Sequence, residues 1–477
     1  MKLDSQAGPP GPSLIDSLRY LTRLKTGDMR LYEKLFAEYG DVVRLRCPGH
    51  EDVVFAFHPD DIHHVLCRNF RNYPKGKRYH ELIPVLGMGL VNSDGELWRR
   101  QRRLVQEQFN HENTLQFVPL IGRHIDALLA RWDHLESPFV RDLNDDMLDV
   151  TFGVAGEAFF GVGLAEHADT VRESFKFALS MALRRMNTLR PLPLSVPLPS
   201  HVRFSRAMAK IHDVIDAIIT EYRTESRPAN NVLQRLMNVV DPDTGNSMSH
   251  EQLRDEIKTI LMVGHETSSV TATWALFLLA RSPTARARLC REIDGVLAGR
   301  APEVADFERM PFLNQVFNEC LRLLPSVPFI LRSPIADDTL GGYRVRAGST
   351  VVIAPWVTHR HPAFWKEPEE FRPERFSEGV KGLPHRLAFL PFGAGQRICL
   401  GEFMGQVEGK MILTKLLQRY DLTLAPGFEP ECRGFISLQP VNGMKMHFVR
   451  REIAPRSVAP QAGELRDSKL ANVAPAE

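Results

Sequence analysis

The sequence predicts a mainly α-helical protein with small β-sheets. Long apolar stripes at helical spacing occupy 249–283, 311–324 and the stretch that follows Gly401. Strand-like runs are short and few: Asp41–Arg46, Val53–Phe57, Tyr343–Val345 and Thr350–Ile353. The chain also carries no internal repeat of the kind that builds solenoids or propellers.

In chain order, the N-terminal stretch "MKLDSQAGPPGPSLIDSLRYLTRLKTG" has Pro and Gly early and charges throughout. No apolar run there is long enough for a signal peptide or a membrane span, so a soluble, cytoplasmic protein without a membrane anchor is expected. Residues 1–13 read as a flexible segment stiffened locally by "GPPGP". The next two strand-like runs are followed by mostly helical pattern. "RPLPLSVPLPS" at 190–200 is a Pro-rich apolar connection between helical segments, with a lid over an apolar pocket as its functional alternative. "RAGS" between the last two strand-like runs reads as a turn. Residues 453–477 are rich in Ala, Pro and Ser and poor in large apolar groups, which predicts a disordered tail.

Composition limits the function classes. The 477 residues are 43% hydrophobic and 25% charged with net charge +2, an ordinary globular balance that gives no case for nucleic-acid binding. The six cysteines are scattered without a CxxC pair, against a disulfide framework or zinc site and in favour of a reducing compartment.

Two segments carry chemistry. In "SHEQLRDEIKTILMVGHETSSVTATWALFLLARSP", 249–283, Ser249 and Gln252 form a capping-box pattern and Pro283 ends the helix. Its stripe is large and apolar at both ends but small and hydroxylated in the middle, at Gly264, Thr267, Ser268 and Thr271. A central glycine costs a helix about 1 kcal/mol against alanine. Room for a ligand and close packing of a neighbouring helix both account for such a gap. Glu266 stands beside it as a group able to relay protons.

The second segment is "FGAGQRICLG", Phe392 to Gly401. Three glycines, Gly393, Gly395 and Gly401, surround one cysteine, so special backbone angles or the close approach of something flat are expected. Apolar spacing after Gly401 predicts a helix, placing Cys399 at its N-terminus, where dipole and free N–H groups stabilise a thiolate. No Cys–His arrangement marks the loop as nucleophilic. A single thiolate in a glycine-lined loop suits axial ligation of a macrocycle.

These residues resemble the haem-binding signature of the cytochrome P450 family, Phe-x-x-Gly-x-Arg-x-Cys-x-Gly, at Phe392, Gly395, Arg397, Cys399 and Gly401. "VGHETS", 263–268, is similar to the family's oxygen-binding helix motif at Gly264, Glu266, Thr267 and Ser268, with Val263 where Ala or Gly is usual. "ECLR" and "PERF" resemble the family's buried structural network of Glu319, Arg322 and Arg375. "WRRQR", 98–102, resembles its Trp-x-x-x-Arg.

The resemblance spans Leu14 to Arg451 and implies one triangular α-rich domain over 14–452, a soluble bacterial-type member with haem between the long central helix and the Cys399 loop. It implies haem b, ligated by Cys399, backed by Phe392, Gly393, Gly395, Gly401 and Gly264, and held at its propionates by Arg397, Trp98, Arg102 and Arg332. Thr267 and Glu266 are the implied proton-delivery residues. Leu86, Val263, Val327, Phe329, Ile330 and Ile436 are the implied lining of an apolar pocket for a terpenoid, fatty acid or polyketide-type substrate. The implied reaction is insertion of one oxygen atom of dioxygen. Only 78 residues follow Cys399, too few for a fused flavin domain, so electrons from NAD(P)H are expected through a separate reductase with a ferredoxin or flavodoxin. Arg99, Arg100 and Arg103 offer a basic docking face for that donor, or an ordinary solvated one. A monomer is expected. The alternatives are a peroxide-dependent or non-oxidative haem-thiolate enzyme and a non-catalytic haem-binding protein.

Overall fold

A computed structural model describes residues 8–161, 168–186, 188, 191–225 and 231–452. The expected tail at 453–477 lies outside the described residues, as do residues 1–7 of the expected flexible segment. Residues 8–13 pack on the first strand: Pro10 O accepts from Arg44 N at 2.8 Å.

The axis of the molecule is the central helix, His250–Arg281. Its 32 residues make it about 48 Å long. Ser249 caps it by accepting from Gln252 N at 3.1 Å, and Pro283 opens the next helix. The helices that pack most extensively against the central one are Leu143–Phe160, Glu402–Arg419 and Pro311–Leu323. The helix Pro311–Leu323 has the bounds its flanking prolines predict, because Pro fits the first turn and resists following a helical residue. Ile257, Leu261 and Ala275 at the two ends of the central stripe are fully buried, whereas Gly264, Thr267, Ser268 and Thr271 are half-buried. The Pro-rich stretch, of which 191–198 is described, lies between the helices Ala168–Met186 and Pro199–Glu225.

Among the described residues, four small sheets edge the helices. The largest runs in the order Val42–Leu45, Val53–Ala56, Thr350–Ile353, Ile330–Arg332. Its central pair is parallel, with Val53 opposite Thr350. The "RAGS" turn is present, but the strands it joins enter different sheets: Tyr343–Val345 pairs with Asp338–Leu340. Strands Phe139–Asp142, Tyr420–Leu424 and Lys445–Arg450 form a third sheet, and Cys432–Gly434 with Leu438–Pro440 a fourth. Their short runs, interrupted by charge, left no strand pattern in the sequence.

Candidate active site

The Cys399 loop is built by two left-handed glycines. Gly393 has φ +75° and Gly395 φ +70°, angles that a side chain resists. At Gly395 a Cβ would also stand 2.1 Å from Leu66 O. Cys399 N donates to Phe392 O at 3.0 Å and closes the loop, and helix Glu402–Arg419 begins directly after it. Gly401 differs. Its φ of −86° is ordinary and nothing lies within 4 Å of where its Cβ would be. Neither strain nor crowding within the protein requires glycine there, and the space over it is open.

The Cys399 side chain has free surface, yet the protein crowds it enough that burial raises the thiol pKa. A hydrogen bond from the Gly401 backbone and the charge of Arg102 pull the other way, and Glu402 adds to the rise. Burial thus favours the neutral thiol in the protein alone, and a positive centre at the sulfur would favour the thiolate instead.

Beside the loop, cations gather out of water. Arg397 donates to Ser93 O at 3.0 Å, pairs with Asp94 and lies 4.3 Å over the Trp98 ring. Arg102 donates to Ile398 O at 2.8 Å, inside the loop itself. Arg332 is buried, with its guanidinium donating to Leu331 O at 2.8 Å. Burial pushes Arg397 down to about 10; Asp94 opposes this, and Arg332 and Arg102 add to it. Lys75 is held well below the ordinary lysine range by burial, then by Arg332 and Arg397, against Asp94. Asp94 is the carboxylate that Lys75, Arg332 and Arg397 all feel. Cations so placed are costly unless further anions join them. An available thiol, open space over Gly401 and a cationic pocket in want of carboxylates fit a haem with its two propionates.

The middle of the central helix carries the second set of expected site residues. Close packing explains much of the gap in its stripe. A Cβ on Gly264 would meet the Phe159 ring at 2.9 Å, so the glycine admits helix Leu143–Phe160. Ser268 hydrogen-bonds Glu408, whose carboxyl burial pushes up to about 7. Thr271 bonds Ser326 and donates to Thr267 O at 2.8 Å. Thr267 donates its one hydroxyl hydrogen to Val263 O at 2.8 Å, leaving lone pairs to accept from a neighbour. Glu266 accepts from Ser437 and from Gln439, both at 2.6 Å.

Residues 9–443 match the family model for cytochrome P450. The chain belongs to the cytochrome P450 family. It is 34% identical to cyclooctatin synthase of Streptomyces melanosporofaciens, over 84% of this chain and 87% of the relative. To the protein LUTEIN DEFICIENT 5, chloroplastic, of Arabidopsis thaliana it is 30% identical, over 88% and 74%. To cyclooctat-9-en-7-ol 5-monooxygenase of S. melanosporofaciens it is 29% identical, over 82% and 84%. The protein is thus a haem-thiolate oxidoreductase of the P450 monooxygenase family, which needs a redox partner. No described helix is long and apolar enough to cross a membrane.

The buried network of this P450 is assembled as its motifs imply. Arg322 is wholly buried and donates to both oxygens of Glu319 at 2.7 and 2.8 Å. It also reaches His359 O and Pro368 O, each at 2.8 Å. Arg375 meets Glu319 at 3.3 Å. His359 carries the network to the haem loop: its ring accepts from Leu390 N at 2.9 Å, two residues before Phe392.

Among the expected pocket residues, Val263, Val327, Phe329, Ile330 and Ile436 are half-buried and Leu86 is fully buried. Phe329 stacks on Tyr32, with centroids 6.1 Å apart. The three arginines expected to form a basic face are ion-paired in the structure. Arg100 and Arg103 pair with Asp241 at 2.7 Å, Arg103 also with Asp243, and Arg99 with Glu96. These acids come from the same helix and from the distant 241–243 turn.

Sequence reasoning gave no individual role to Lys75, Asp94, Ser437, Gln439 or Glu408, and placed Ser437 and Gln439 only within a segment, 435–439, that the resemblance implies contacts substrate. Only Glu408 left a signal, as a carboxyl inside the apolar stripe of Met404, Val407 and Met411. The others reach the site through chain-distant contacts.

Proposed function

We propose that this P450 inserts one oxygen atom of dioxygen into an apolar terpenoid, by hydroxylation or epoxidation. The observation that carries the reading is the Cys399 thiol, accessible in a loop opened by Gly401 and flanked by buried cations. Relatives named for cyclooctatin and cyclooctat-9-en-7-ol favour a terpenoid over a fatty acid or polyketide.

Haem b, when bound, supplies the iron that Cys399 would ligate, with thiolate electron density favouring O–O cleavage. Arg102, Arg332, Arg397 and Trp98 would hold its propionates, and Lys75 would add a further cation beside them. Gly393 and Gly395 shape the loop against Phe392, and Gly401 leaves the plane room. Gly264 brings the central helix close to Phe159 and sets the far wall. Thr267, with lone pairs facing its neighbours, accepts a hydrogen bond in the site, and Glu266 moves protons to it. Val263, Val327, Phe329, Ile330 and Ile436 line the apolar space, with Leu86 packed behind it. We read 14–452 as one domain, monomeric and cytoplasmic. Electrons come from NAD(P)H through a reductase and a ferredoxin or flavodoxin.

The first test is the carbon-monoxide difference spectrum of the dithionite-reduced protein. The red-shifted Soret band is expected, and a haem spectrum without it overturns the reading. Thr267→Ala is expected to raise peroxide relative to product on the order of tenfold, within the usual range for a lost proton-transfer partner. Unchanged coupling removes Thr267 from proton delivery.

A further inference from the structure

The carboxylate of Glu266 does not stand alone beside Thr267. Ser437 Oγ and Gln439 Nε2 both donate to the same oxygen, Oε1, at 2.6 Å. Gln439 Nε2 also reaches Ser437 Oγ at 2.7 Å, closing a three-membered ring of polar groups. Ser437 is 1% exposed, and bonds of this kind to an ionised carboxylate are stronger than neutral ones.

The segment that supplies these donors is itself fixed to the central helix. Trp274 Nε1 donates to Leu438 O at 2.7 Å. Leu438 N donates to Ser326 O at 2.9 Å, and Ser326 bonds Thr271. Thus Leu438, between the two donors, is tied to a point two helical turns beyond Glu266. A carboxylate side chain has three rotatable bonds and would otherwise sweep a wide arc. With Oε1 taken by two donors, exchange of protons falls to Oε2.

We propose that Ser437 and Gln439 are positioning residues for proton delivery: held by the two-stranded sheet, they fix Glu266 Oε1 and aim the other carboxylate oxygen at the site beside Thr267. The proposal rests on the reading of Glu266 as the proton relay.

The test uses the haem-loaded full chain, reduced by a surrogate ferredoxin and its reductase without substrate. Each dioxygen then takes two electrons and two protons to peroxide, or four of each to two waters. Wild type is compared with Ser437→Ala/Gln439→Leu, Ser437→Thr, Gln439→Leu and Glu266→Gln. Peroxide-to-water ratio and solvent deuterium isotope effect are read. Independently of turnover, isotope-edited infrared follows the Glu266 carboxylate stretch, identified as the band lost in Glu266→Gln.

The double variant is expected to shift that band. It should raise the peroxide-to-water ratio on the order of tenfold, the scale seen when outer partners of a reactive group are removed, and enlarge the isotope effect. Ser437→Thr, which keeps the hydroxyl, is expected to restore most of the wild-type ratio. If the double variant fails to load haem, Gln439→Leu is read the same way, with a rise of about threefold expected for one lost donor. An unchanged ratio and isotope effect in these variants, while Glu266→Gln raises both, overturns the positioning role and leaves the relay intact. If Glu266→Gln changes neither, the relay reading falls and this inference falls with it.

Discussion

The Cys399 loop and the middle of the central helix are both rich in small residues, for different reasons. In the loop, Gly393 and Gly395 answer to backbone angle and Gly401 to open space. In the helix, Gly264 answers to the Phe159 ring, and Ser268 and Thr271 to Glu408 and Ser326. One wall is therefore shaped by its own backbone, the other by what packs behind it. Small residues in a sequence do not by themselves distinguish room for a ligand from room for a neighbour.

The largest expected effect breaks the loop side chemically. Cys399→Ala should abolish the red-shifted carbon-monoxide band entirely, since no second thiol stands in the loop. Retention of the band would move the ligand elsewhere. Next comes the support beneath the loop. Glu319→Ala leaves Arg322 buried without its carboxylate, and removing one partner of a buried pair costs about 3–5 kcal/mol. Because His359 links Arg322 to Leu390, haem loading should fall together with the thermal midpoint. Loss of stability with full haem loading would show that the loop stands independently of this network.

What the sequence made legible follows the same division. The loop's signature lies within ten consecutive residues, from Phe392 to Gly401, and local spacing was enough to place cysteine, glycines and following helix. The central helix was legible in extent, from Ser249 to Pro283, because caps and prolines are local signals. Its partners were not. Phe159, Ser437 and Gln439 come from elements a hundred or more residues away, and no periodicity announces such contacts. The pairing of Arg100 and Arg103 was hidden for that reason too, since Asp241 and Asp243 arrive from far along the chain.

Acid and base should loosen the two walls at opposite ends of the pH scale. Beneath the loop, burial is the main cause that pushes His359 down to about 3. Its contribution to stability is full above the ordinary histidine value, near 6.5, and is lost as pH falls toward 3. On the central helix, Glu256 is fully buried, accepts from Leu90 N at 3.0 Å and is pushed up to about 8, chiefly by burial. Its contribution is full below the ordinary glutamate value, near 4.5, and is lost as pH rises through 8. Each group changes stability by up to about 1.4 kcal/mol per pH unit inside its window. Limited proteolysis should cut near 359–390 first at pH 5 and near 87–92 first at pH 9. Glu256→Gln, which keeps an acceptor for Leu90, should remove the alkaline site alone. The same first cut at both pH values would mean that the walls open as one unit.

The smallest effects give the sharpest comparison, between two glycine-to-alanine changes. Gly264→Ala gains about 1 kcal/mol of helix propensity. It also drives a methyl against Phe159, a ring only 2% exposed and so without room to retreat. Overpacking of that kind costs about 1–3 kcal/mol, so a net loss on the order of 1 kcal/mol is expected, read as a lower thermal midpoint with haem loading preserved. Gly401→Ala adds the same methyl to an ordinary backbone angle with nothing within 4 Å. Protein stability should then change by no more than about 0.5 kcal/mol, while haem bound per folded chain declines because the methyl stands where the plane approaches. If Gly264→Ala is the variant that loses haem, the gap in the helix is ligand space after all. If Gly401→Ala loads haem as wild type does, the flat group lies elsewhere on the loop.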